Sequence, residues 1–104
     1  MFILVDKSND GVYAVKDQEK KKIVHIFQER DDAERYLVHL EARPEQPKSG
    51  EYKNDNLRIA NIDVDIVAAN CKQFGYRYTI IEPDALVIPP ELWLFLKRFV
   101  GRIS

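Results

Sequence analysis

The sequence predicts an α+β domain: a sheet of about five strands, two helices on one face of it, and a C-terminal amphipathic helix. Three observations point there. Short β-branched and aromatic runs alternate with turn formers, two segments carry apolar residues at helical spacing behind acidic caps, and only four Gly and five Pro punctuate the chain.

Phe2-Ile3-Leu4-Val5 is a short apolar run, and Asp6 to Gly11 follows with turn formers ending in Asp-Gly. Val12-Tyr13-Ala14-Val15 resumes the β pattern, a charged turn spans Asp17 to Lys22, and Ile23-Val24-His25-Ile26-Phe27 is again β-branched and aromatic. These runs read as a three-stranded meander. Asp31 stands three residues ahead of Glu34, as in a capping box, and Ala33, Tyr36, Leu37 and Leu40 form one apolar stripe before Pro44 forbids continuation. A first helix is therefore predicted from Asp32 to about Ala42, followed by a polar surface loop from Arg43 to Asn56.

Leu57-Arg58-Ile59-Ala60 alternates with period two, as a half-buried strand does. A second helix follows, with Asp63 as N-cap, Ile62 and Val67 as a hydrophobic staple, Gly75 at the C-cap, and Val64, Val67, Cys71 and Phe74 as its buried stripe. Tyr76 to Ile81 is the next strand and Glu82-Pro83-Asp84 ends it. Ala85 to Ile88 is apolar and extended, and Pro89-Pro90 precedes a last helix from Glu91 to about Val100. On that helix Leu92, Phe95, Leu96, Phe99 and Ile103 share a face, Trp93 and Val100 widen it, and Lys97, Arg98 and Arg102 lie toward the other side. Residues 1–90 form the domain, and 91–104 form a helix packed on it. Because Ile23 to Phe27 is apolar on both sides except at His25, the second sheet face needs a cover, which this helix would supply.

Composition narrows the function classes. Sixteen Lys+Arg against seventeen Asp+Glu give a net charge of -1, which does not favour nucleic acid. The single cysteine rules out an internal disulfide framework and fits a cytoplasmic setting. The run Phe2 to Val5 is too short for a signal-peptide core, and no stretch approaches the roughly 20 apolar residues of a membrane span.

Chemistry finds little to work with. His25 and His39 have no metal-ligand spacing around them, Cys71 sits on an apolar stripe, and Asp63 and Asp65 are accounted for by helix capping. No phosphate loop or nucleophile elbow appears. The basic run Lys20-Lys21-Lys22 and the pair Arg77-Tyr78 are read as solvated turn and strand-end charges. A non-enzymatic module without a cofactor is expected.

The segments Ile23-Val24-His25-Ile26-Phe27, Asp31-Asp32-Ala33-Glu34-Arg35-Tyr36, Leu40-Glu41-Ala42, Ile62-Asp63, Cys71, Gly75-Tyr76 and Leu86-Val87-Ile88-Pro89-Pro90 carry a resemblance. Taken together they resemble a small family from cyanobacteria and plastids, and from cyanobacterial viruses, catalogued as a domain of unknown function. The likeness runs to Pro90 and implies no activity.

The expected function is therefore binding or regulation through a protein contact, with a second copy of the chain among the candidate partners. The expected surface is Leu92, Trp93, Phe95, Leu96 and Phe99 with Lys97, Arg98 and Arg102. Membrane attachment through the same basic helix and small-molecule sensing are the alternatives.

Overall fold

Alternation along the strands decides the architecture, because successive side chains point to opposite sheet faces. The computed structural model describes residues 1–7, 10–17, 19–41, 57–85 and 93–103. Strands β1 (Phe2–Asp6), β2 (Val12–Lys16) and β3 (Lys22–Phe27) precede helix α1 (Arg30–Glu41); β4 (Leu57–Asn61), α2 (Val64–Phe74), β5 (Arg77–Ile81) and β6 (Trp93–Leu96) follow. The sheet order is β4-β1-β2-β3-β5, with β6 paired to β2. All pairs are antiparallel except β3–β5, which is parallel.

The α+β class and the three-stranded start stand as expected. So do the caps of α2. Asp63 Oδ1 accepts the Asp65 amide at 3.0 Å, and Gly75 ends the helix with φ 74°, a left-handed conformation that favours glycine.

Two expectations about the architecture are corrected, and one about a single residue. The helices do not share a face. Tyr13, Val15 and Phe27 cluster with Ala33, Tyr36 and Leu40 of α1, while their strand neighbours Val12, Ala14 and Ile26 cluster with Val67 and Cys71 of α2. Each helix covers one side, since strands apolar on both faces need two covers. Phe74, assigned to the buried stripe of α2, is 42% exposed.

The C-terminal helix is the second correction. Trp93–Leu96 is a strand, paired antiparallel to β2 from Val12↔Leu96 to Val15↔Trp93. The apolar spacing that suits a helix also suits a β-prone aromatic run, and because β1 meets β2 only at Val5↔Val12 and β3 pairs with it from Ala14 to Lys16, β2 keeps a side open for a ladder that an isolated helix cannot match. The chain then runs across α2: Phe99 is buried, and Ile103 bridges Ile62. The buried amide of Asn70 holds this segment. Its Nδ2 donates to the carbonyls of Ile66 and Val100, each at 2.8 Å, and its Oδ1 accepts the Val100 amide at 2.9 Å. Gly101 (φ 131°) completes the approach, because a Cβ there would stand 2.7 Å from Ile66 Cγ2. The expected extended run Ala85 to Ile88, apart from Ala85, and the loop 43–56 lie outside the described residues.

Candidate functional site

The residues expected to form one interaction surface are not brought together. Leu92 lies outside the described residues, and Trp93 opens β6. Leu96 and Phe99 are buried against the α2 side, whereas half-buried Phe95 packs on the α1 side. Lys97, Arg98 and Arg102 remain exposed, but the apolar face they were to edge is part of the core.

The surface that does stand out is β5. It ends the sheet order, and among the described residues its only strand partner is β3. Arg77, Tyr78, Thr79 and Ile80 are all exposed, and only Ile81 is buried. The Gln28 amide donates to the Ile81 carbonyl at 3.2 Å, which turns the backbone groups of Ile81 toward β3. Residues alternate in the direction of those groups, so Thr79 and Arg77 also face β3 while Tyr78 and Ile80 present N–H and C=O outward. An edge of this kind is a template for another strand.

The opposite end of the order is better closed. Arg58 of β4 pairs with Asp10 at 2.9 Å, tying β4 to the β1–β2 turn, and the Ile62–Ile103 bridge continues beyond the strand.

Charge differs between the two ends of β5. At its start, Lys20, Lys21, Lys22 and Arg77 line a shallow cleft of about 350 Å³ with Phe74, Gly75 and Tyr76. Arg77 reaches Asp17 at 3.6 Å and Glu19 at 3.8 Å, and Lys22 Nζ stands 5.6 Å from the Tyr76 ring centre. At its far end come Glu82 and Asp84, beside exposed Glu29 and Asp31 at the start of α1. Buried Asp32 joins these two segments, accepting from the Asp84 amide at 3.2 Å and pairing with Arg35 at 3.1 Å.

A family model described as "Domain of unknown function (DUF3110)" matches residues 1–91. The chain belongs to that family. No curated protein and no solved structure matches it. The DUF3110 match takes in β5 and both helices and stops short of β6, so Leu96, Phe99 and the Val100 clamp lie past the matched residues.

Among the described residues the interior polar groups form no reacting constellation. Tyr13 and Tyr36 share a buried hydrogen bond of 2.6 Å between their hydroxyls, and His25 stands edge-on to Tyr36 with ring centres 5.7 Å apart. Burial lowers the His25 pKa to about 4, and its Nδ1 is buried without a hydrogen-bond partner among the described residues. Burial likewise pushes the Cys71 thiol up to about 11, the opposite of an activated nucleophile. Among the described residues no three His, Cys, Asp or Glu are grouped to hold a metal ion, and no helix is long and apolar enough to cross a membrane.

The strand Tyr76 to Ile81 was legible in the sequence; its edge position was not. The alternation of Arg77 and Thr79 with Tyr78 and Ile80 signals a face that is not fully covered, and says nothing of the position in the sheet order.

Proposed function

We propose that this chain is a non-enzymatic protein-contact module that docks an extended segment along the outer edge of β5. The observation that carries it is the pair of outward-facing residues Tyr78 and Ile80, 42% and 39% exposed, on a strand with a vacant side among the described residues. Strand addition of this kind takes its affinity from main-chain hydrogen bonds and its selectivity from alternate side chains. The protein contact is preferred to the membrane alternative because Leu96 and Phe99, on which the latter draws, are buried.

The test compares capture by the native chain with capture by Ile80→Pro. Proline at an outward position removes a donor from the vacant edge and none from the β3 ladder. A partner bound through β5 is lost with Ile80→Pro and with Ile80→Lys, and kept with Arg98→Glu, two residues past β6, which does not pair with β5. Capture indifferent to both Ile80 changes overturns the reading.

A further inference from the structure

The edge of β5 is complementary to itself, and we infer that its occupant is β5 of a second copy, paired antiparallel about a two-fold axis through Thr79. This rests on the edge-docking reading and gives it a partner. Three features of the strand carry it.

The first is register. In an antiparallel pair centred on Thr79, Tyr78 faces Ile80 of the second copy, and Ile80 faces its Tyr78. Both are outward residues, so each exchanges N–H and C=O with the other, and the outward groups of Tyr78 and Ile80 on both copies are all satisfied. Centring on Tyr78 or on Ile80 instead leaves one of the two residues to pair beyond the strand, opposite Tyr76 or Glu82.

The second is side-chain pairing. Tyr78 and Ile80 point to the same sheet face, opposite to that of Ile81, which packs on the α1 side. Pairing them across the axis twice sets an aromatic ring against a β-branched chain, a favourable cross-strand combination that also covers two of the exposed large apolar residues.

Charge is the third. The start of β5 is basic on balance, with four cations (Lys20, Lys21, Lys22 and Arg77) against Asp17 and Glu19, which pair with Arg77 and Lys21, and the end leads into Glu82 and Asp84 beside Glu29. Antiparallel pairing lays the basic end of each copy against the acidic end of the other. A parallel arrangement would set like charges together, so the electrostatics select the two-fold. Five-residue edges bury little area, which makes the dimer weak and concentration-dependent.

The test is sedimentation of the whole chain from micromolar to millimolar concentration, together with disulfide trapping. Thr79→Cys places two thiols opposite each other across the axis and is expected to crosslink readily under mild oxidation. Arg77→Cys separates them by four strand positions, about 13 Å, and is expected not to. Because each change acts twice, Ile80→Lys is expected to weaken association roughly tenfold, and high salt weakens it as well. A chain that is monomeric throughout, with Thr79→Cys trapping no faster than Arg77→Cys, overturns the two-fold pairing. If that chain still captures a different partner through Ile80, edge docking stands without it. A dimer indifferent to both Ile80→Lys and Ile80→Pro overturns the two-fold pairing, and edge docking falls with it only if capture of every other partner is indifferent to both changes as well.

Discussion

The two faces of the sheet are closed in different ways. On the α1 side the cover comes mainly from one helix, with Phe95 packing in from β6, and the contacts include polar ones: Tyr13 and Tyr36 joined through their hydroxyls, with His25 and Phe27 against the Tyr36 ring. On the α2 side the helix leaves a gap. Leu96, Phe99 and Ile103 fill it from the far end of the chain, pinned by the Asn70 clamp. The lesson is that equal burial on two faces does not mean equal dependence on distant sequence.

The sharpest way to break the comparison is to remove the borrowed cover. Phe99→Ala is expected to cost about 4 kcal/mol in urea denaturation, the scale of a fully buried aromatic truncated to a methyl group. A loss under about 1 kcal/mol would mean that α2 closes its face unaided. On the α1 side the largest lever is acid. His25 is held neutral in the fold, with its pKa lowered from 6.5 to about 4, so above pH 6.5 neither state takes the proton and stability is at its maximum. Below pH 6.5 the unfolded chain protonates first, and stability falls until the folded pKa near 4 is passed. That interval corresponds to at most about 3 kcal/mol, and His25→Phe is expected to flatten this part of the pH profile.

Asn70→Ala is expected to cost about 2 kcal/mol, because the Val100 amide and carbonyl lose a buried partner. Amide exchange at Val100 checks whether the loss is confined to the C-terminal segment. The smallest effect belongs to Tyr36→Phe, about 1 kcal/mol, since one hydroxyl is removed and the ring contacts with His25 and Phe27 are kept. If Tyr36→Phe cost more than Asn70→Ala, the polar contacts of the α1 side would be the more demanding ones.

Helix α2 is almost wholly legible from local signals. Asp63, Ile62, Val67 and Gly75 act within one or two turns of each other; the structure keeps Asp63 and Gly75 as caps and buries Ile62 and Val67 in one core cluster. Helix α1 was likewise legible, with Ala33, Tyr36 and Leu40 buried as expected. Asp32 was not distinguished from its acidic neighbours, because its value lies in reaching the Asp84 amide, 52 positions away. The same distance hid the end of the chain. Nothing in the spacing of Phe95, Leu96 and Phe99 separates a helix from a strand plus a returning segment; the free side of β2 decides between them, and that is a property of sheet order. The candidate docking edge was hidden for a related reason, since which strand is outermost is not a local property of Arg77 to Ile81.

Cys71 lies at the floor of the borrowed cover. It is 2% exposed, its pKa is pushed up to about 11, and it is the chain's single cysteine. A thiol both shielded and protonated reacts only when its surroundings open. The molecule thus carries its own stopwatch: the rate at which a thiol reagent labels the native chain counts the openings of the α2 side and is silent about those of the other face.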